Sequence, residues 1–274
     1  MSDHPKYKFD DLVAIVGRLR GENGCPWDNQ QTLESVRKYF LEEAYEALDA
    51  IDRGDMKALC EELGDTLWEI LFLARIAEQN GAFTTQEMVQ LLGEKMVRRH
   101  PHIFGEDVAL DVDAVVAKWA DIKKSEGKAN SHYDVLARVP RSLPALLRAQ
   151  RVGERVAKVG YDWDDVPAVL EKVKEEFGEF LAEIKKGNKE NIEGELGDMF
   201  FALAQAARHL NLSAEDALRS ATDKFVNRFG AVEKILEVKG EKLEGKTPEE
   251  LDELWNFAKA VERAGKDDNS GNGQ

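Results

Sequence analysis

The 274-residue sequence is poor in proline (7) and holds only two cysteines, Cys25 and Cys60. Little proline means few helix interruptions. Two cysteines outside CxxC spacing exclude a disulfide framework and a thiolate zinc site. No basic stripe is present and the net charge is −15, so a nucleic acid polymer is not an expected partner. No apolar run approaches the length of about 18 residues needed to span a membrane, and no charged-then-apolar leader opens the chain; a soluble, cytoplasmic protein with no membrane partner is expected. GxxxxGK[ST] and GxGxxG turns are both absent, so any phosphate must be held by metal and side chains.

An acidic pattern is present, and it is present twice. Glu43, Glu46, Glu62 and Asp65 recur 133 positions on as Glu176, Glu179, Glu195 and Asp198. The repeat reaches beyond the acids. Trp27-Asp28 matches Trp163-Asp164, Lys95 and Arg99 match Lys224 and Arg228, and Trp119 and Lys123 match Trp255 and Lys259. Abundant Ala, Glu, Leu, Lys and Arg with short β-branched runs indicate an all-α chain. The repeat divides it into two domains, 1–130 and 131–264. A tail over 265–274, with no apolar residue, is expected to be disordered.

Leu41, Ala44, Tyr45, Leu48 and Ile51 share one arc of a helix running from about Leu33 to Ile51. A second helix is expected from about Met56 to Asn80-Gly81, and the short break between the two implies an antiparallel hairpin. Thr84 to Glu87 reads as the cap of a third helix, which His100-Pro101-His102 ends. A fourth is expected at about 113–124. After a Gly/Pro-containing boundary at 125–144 the plan repeats. One helix covers about 143–158 and a turn spans Gly160 to Trp163. An acidic hairpin follows with its turn at Lys186-Gly187-Asn188, then helices at about 214–238 and 248–263.

Residues three apart share a helix face, so each hairpin can bring two acid pairs together. Four carboxylates with positions left for water or phosphate suit Mg²⁺, with Mn²⁺ as a substitute. An isolated ExxE is ordinarily a solvated surface feature. Here each acid pair leads into an apolar segment, TLWEILFLARIA after Asp65 and MFFALAQAA after Asp198. Carboxylates clustered next to a core repel one another unless a cation neutralises them. Gly64 and Gly197 inside ELGD each cost a helix about 1 kcal/mol relative to Ala, which suggests a close helix or ligand approach. A di-iron carboxylate bundle needs Glu-x-x-His, and Val97, Arg99, Ala129 and Ala206 stand where those glutamates would be.

At these residues the chain resembles the MazG family of nucleoside triphosphate pyrophosphohydrolases. The motif EExxE with ExxD reads Glu42-Glu43-x-x-Glu46 with Glu62-x-x-Asp65, and Glu175-Glu176-x-x-Glu179 with Glu195-x-x-Asp198. GCPWD from Gly24, RRHPHIFG from Arg98 and VPRSLPALLRAQ from Val139 are similar to the two-domain bacterial members. The resemblance implies a tandem of two helical domains and a homodimer in which two subunits complete each four-helix bundle. It implies Mg²⁺-dependent hydrolysis of a nucleoside triphosphate to monophosphate and pyrophosphate, in nucleotide-pool cleansing or alarmone control. The C-terminal copy is the one the resemblance associates with ordinary triphosphates.

Water attack at the α-phosphorus needs charge stabilisation and positioning above all. Glu176, Glu179, Glu195 and Asp198 are the expected metal ligands, with Glu43, Glu46, Glu62 and Asp65 as a second set of open activity. Glu175 is a candidate general base or a solvated acid. Lys224 and Arg228, four apart, are candidates to clamp the triphosphate, or an exposed basic pair. Trp255 and Lys259 are candidates to hold base and phosphate, or core residues; Lys172 joins the substrate-binding set. His100 and His102 read as helix-end packing residues. A metal-dependent nucleotide-binding module without turnover is the alternative function, above all for the N-terminal half.

Overall fold

The computed structural model describes residues 6–105 and 131–270, together with positions 111, 112, 114, 115, 118, 119 and 122. Every regular element among the described residues is a helix. The chain divides into two compact units, Met1–Gly127 and Lys128–Gln274.

In the first unit α1 (Phe9–Leu19) and a short α2 (Pro26–Gln30) precede the hairpin of α3 (Leu33–Arg53) and α4 (Met56–Gln79); α5 (Thr85–Arg99) and a single turn, α6 (Pro101–Phe104), follow. The expected cap at Thr84 is present: its hydroxyl accepts from the Glu87 N–H, and Glu87 accepts from the Thr84 N–H at 2.7 Å. The helix expected at about 113–124 falls mostly outside the described residues. The core joins α1, α3 and α4 through Val16, Val36, Leu71, Phe72 and Ile76. Each such side chain contributes about 1.5–3 kcal/mol when fully buried.

In the second unit α7 (His132–Ala137) lies in the stretch read as a boundary. It is followed by α8 (Ala145–Ala157), the hairpin of α9 (Val166–Lys186) and α10 (Lys189–His209), α11 (Ala214–Lys239) and α12 (Pro248–Ser270). Helix α12 continues into the stretch expected to be a disordered tail; extending a nucleated helix costs little per residue. Helix α8 packs on α10 and α11. The buried Gln150 fastens it there: its Nε2 donates to the Leu212 carbonyl and its Oε1 accepts from the Ala214 N–H. Val232, Leu236, Leu254 and Ala258 form a second cluster between α11 and α12.

The helix arc of Leu41, Tyr45, Leu48 and Ile51 is present but faces out of the chain, while Val36, Ala47 and Ala50 face in. The apolar run after Asp198 is likewise buried on one side only. Ala202, Ala204 and Ala206 are covered, whereas Phe200 and Leu203 are 48% and 44% exposed. A single chain supplies partners for one face of each hairpin and leaves the other open.

Candidate active site

Both acidic hairpins are closed by the same device. Gly54 and Gly187 take left-handed backbone (φ 66° and 76°), which costs glycine nothing. The next residue then caps the returning helix. The Asp55 carboxylate accepts from the Lys57 and Ala58 N–H groups, and the Asn188 carboxamide oxygen from those of Glu190 and Asn191. This tight reversal sets α3 against α4 and α9 against α10, and so brings acids from opposite arms together.

Two trios of carboxylates result, Glu43 with Glu62 and Asp65, and Glu176 with Glu179 and Glu195; within each, one oxygen per residue lies within 4.8 Å of the others. Octahedral Mg²⁺ at about 2.1 Å holds adjacent oxygens about 3 Å apart, so binding an ion would draw each trio together by up to about 2 Å. The all-oxygen donor set fits a hard divalent cation. The fourth acid of each sequence set adds to the local field. Glu46 and Asp65 raise the Glu43 and Glu62 carboxyls after burial has done so. Burial raises Glu195 first, and Glu179, Glu176 and Asp198 raise it further. Crowded carboxylates with raised proton affinity are the electrostatic condition that a bound cation relieves.

Glu176 is 7% exposed, the most buried acid of either set, and Lys172 Nζ pairs with it at 2.7 Å. The same ammonium bonds Glu175 Oε1 at 2.8 Å, and the two carboxylates hold the lysine well above its ordinary range. Beside them opens a cavity of about 500 Å³ whose lining includes Lys172, Glu176, Asp198, Trp163, Phe201 and Gln205. Small-molecule sites commonly span about 300–1,000 Å³. The sequence reading missed this cavity. Its apolar wall comes from the Gly160–Trp163 turn and from α8, and only the recurrence of Trp27-Asp28 as Trp163-Asp164 hinted at a role for that turn.

The two copies differ around their acids. Ala202 corresponds to Glu69 in the first unit, where burial, then Glu43 and Asp65, push the carboxyl up to about 7. Gln205 corresponds to Phe72, which is 3% exposed and lies under the Arg20 guanidinium at 5.0 Å. Lys172 corresponds to Tyr39, whose ring lies tilted against that of Trp27 at 6.2 Å.

The basic candidates lie elsewhere in the second unit. Arg228 Nε donates to Glu262 at 2.6 Å and its guanidinium lies 5.9 Å from the Trp255 ring, which also meets Phe225 at 4.9 Å. Trp255 packs on the cluster between α11 and α12; Lys224 is exposed on α11 and Lys259 half-buried on α12. None of these four lines the cavity. Trp119 meets His100 edge-on at 5.0 Å, as a packing role for that histidine requires, and Lys123 lies outside the described residues. A Cβ added at Gly64 or Gly197 meets nothing within 4 Å, so no close approach within the chain accounts for these glycines. Both lie on the open side of their hairpins.

The model of the MazG nucleotide pyrophosphohydrolase domain matches residues 31–104 and 166–232, the segments that carry the two hairpins. A nucleoside triphosphate pyrophosphohydrolase of Escherichia coli (strain K12) is 41% identical over 258 residues, 93% of this chain and 98% of that protein. The nucleoside triphosphate pyrophosphohydrolase/pyrophosphatase MazG of Thermotoga maritima is 41% identical over 251 residues, 92% of this chain and 95% of that protein. The crystal structure of a mazG-related protein from Thermotoga maritima aligns with 42% of this chain and 98% of its own at 28% identity and a TM-score of 0.38.

Proposed function

The chain belongs to the MazG family of nucleotide pyrophosphohydrolases, enzymes that hydrolyse acid anhydrides, and from that premise we propose that its second unit splits nucleoside triphosphates into monophosphate and pyrophosphate with Mg²⁺, or Mn²⁺ in its place. One observation carries this reading. In that unit Glu176, one of the trio with Glu179 and Glu195, lines a cavity large enough for a nucleoside, together with Lys172 and Asp198. A cation held there would neutralise phosphate charge and supply Lewis-acid chemistry. Glu176, Glu179, Glu195 and Asp198 are its ligands in this proposal. On the same proposal Lys172 faces the phosphates and Glu175 is the candidate base for the attacking water. Lys224, Arg228, Trp255 and Lys259 complete the substrate set if a second copy of the chain brings them to the site. The exposed stripes on both hairpins support such a homodimer, in which two subunits complete each four-helix bundle. We assign the two domains to 1–130 and 131–264. Among the described residues no helix is long and apolar enough to cross a membrane. A cytoplasmic role in nucleotide-pool cleansing or alarmone control fits this chemistry.

A second reading applies to the first unit, where Glu69 and Phe72 stand in place of Ala202 and Gln205. There the proposal is binding of metal and nucleotide without turnover. Incubation with each triphosphate and Mg²⁺, followed by separation of products, tests both readings. Wild type is expected to release monophosphate and pyrophosphate. Glu176→Ala and Asp198→Ala abolish this, while Glu43→Ala and Asp65→Ala retain it. Release of diphosphate and phosphate contradicts the chemistry. Equal loss in folded Glu43 and Asp65 variants contradicts the assignment to the second unit.

A further inference from the structure

Resting on the reading that the acids of the second unit hold a divalent cation, we propose that Glu183 is a positioning residue for that site: its bond to Asn191 fastens α9 to α10 so that Glu195 meets Glu179 as well as Glu176. Glu183 follows Glu176 by seven residues and Glu179 by four, which places all three on one face of α9. It is 8% exposed, about as buried as Glu176, yet it belongs neither to the trio nor to the cavity lining.

Both oxygens of Glu183 are engaged. Oε1 accepts from Lys186 Nζ at 2.5 Å and Oε2 from Asn191 Nδ2 at 3.1 Å. These bonds, that of Lys186 first, hold the carboxyl below its ordinary range, so it stays ionised. Lys186 lies on the same helix as Glu183, whereas Asn191 lies in the first turn of the other arm, four residues before Glu195. The bond to Asn191 therefore crosses between the arms beside the turn. It stands about one helical turn from the level at which Glu179 and Glu195 approach each other.

The first copy shows what the hairpin does without this bond. At an offset of 133, Glu183, Lys186 and Asn191 correspond to Ala50, Arg53 and Ala58, and Ala50 is fully buried. The same reversal closes there on alanines, through the same left-handed glycine, so the hairpin does not require an acid at this place. A charge kept in a buried position lowers stability relative to packed apolar side chains. The acids also gather differently in the two copies. In the first unit Glu43, Glu62 and Asp65 come together, the counterparts of Glu176, Glu195 and Asp198. In the second unit Glu179 stands in the trio in place of Asp198. Glu179 is nearer the turn than Glu176, and Asp198 is farther from it than Glu195. The trio has thus moved toward the Glu183–Asn191 bond, the end at which the arms are fastened.

The test is Mn²⁺ binding by calorimetry to the full chain in a Glu43→Ala/Asp65→Ala background, which leaves one trio intact, beside urea unfolding without metal. Glu183→Ala installs the residue that the first unit has at this place. It is expected to weaken Mn²⁺ about 10- to 100-fold, the range for loss of a group that orients metal ligands, while the urea midpoint stays equal or rises. Asn191→Ala keeps the Glu183 charge and removes the crossing bond; it is expected to weaken Mn²⁺ to a similar degree. Glu183→Gln keeps an acceptor for Asn191 and is expected to lose less than either alanine variant. Unchanged Mn²⁺ affinity in Glu183→Ala overturns the positioning role. So does full affinity in Asn191→Ala, which reduces Glu183 to a charge, and so does a loss of affinity matched by a fall in the urea midpoint, which general loosening of the hairpin explains. A background chain that binds no Mn²⁺ overturns the metal reading and this role with it. If wild type makes products other than monophosphate and pyrophosphate while Mn²⁺ affinities fall as stated, the reaction assignment fails and the role of Glu183 stands.

Discussion

Gly153→Ala ought to destabilise the protein although it exchanges the weakest ordinary helix former for the strongest. In an open helix position that exchange gains about 1 kcal/mol. At Gly153 the new methyl would lie 1.8 Å from Gln205 Oε1, 2.6 Å from its Cδ and 2.9 Å from Arg208 Nε. Gln205 is fully buried on α10 and bonded at both ends of its carboxamide, so it has no free rotamer to retreat to. Overpacking of this kind costs about 1–3 kcal/mol. Loss of one or both carboxamide bonds adds about 0.5–1.5 kcal/mol each. After the propensity gain, the net cost is about 0.5–5 kcal/mol. Gly197→Ala is the control: an added Cβ there meets nothing within 4 Å, so the metal-free chain should gain up to about 1 kcal/mol. Urea unfolding followed by circular dichroism, on the full chain without metal, measures both. Equal stability of Gly153→Ala and wild type would refute the close-packing argument.

Two further outcomes follow from the charges. The Glu69 carboxyl stays protonated in the fold up to about 7 against 4.5 in the unfolded chain, so it makes stability fall between those pH values and then level off. The upper bound is about 3 kcal/mol, roughly halved by solvent screening at a half-buried group; Glu69→Ala should therefore be about 1–2 kcal/mol more stable than wild type at pH 8 without metal and no more stable at pH 4.5, read by denaturant titration. Lys172→Met removes the ammonium paired with Glu176; Mn²⁺ titration by calorimetry should show tighter metal binding without nucleotide, and tripolyphosphate binding in Mg²⁺ should weaken, whereas a purely structural lysine would move both in one direction.

Much of the architecture could be read from local signals because those signals are local in cause. Gly54-Asp55 and Gly187-Asn188 dictate a tight reversal wherever they occur, since one residue accepts left-handed backbone and the next caps a helix. The acid spacing then follows from the helical period. Burial was less legible. Leu41, Tyr45, Leu48 and Ile51 form a good apolar arc, but periodicity states that a face will be covered, not that its own chain covers it. The helix Phe9–Leu19 was not expected, and the second-unit cavity depends on contacts far apart in sequence, such as Gln205 with Ala149, 56 residues away. No window of sequence contains both partners.

Duplication kept the part of the site that the hairpin itself builds and altered the part that other elements supply. Four acids per copy follow from two helices and one turn, so they persist whatever packs on them. The wall of the second-unit cavity needs α8 to sit close on α10, and that closeness depends on Gly153 facing Gln205. In the first unit Phe72 occupies the matching position, with Arg20 above its ring and Leu71 and Val16 packed beside it. A side chain of that volume, buried in a core, cannot be withdrawn without a cavity cost of about 3–5 kcal/mol. The first unit therefore gains stability from a position that in the second lines an open cavity. Glu69 and Tyr39 reinforce the difference, adding a fifth carboxyl beside the acids and removing the ammonium that Lys172 provides. The acids are common to both copies, so the Gln205-to-Phe72 and Lys172-to-Tyr39 changes mark where the surroundings of the acids diverge.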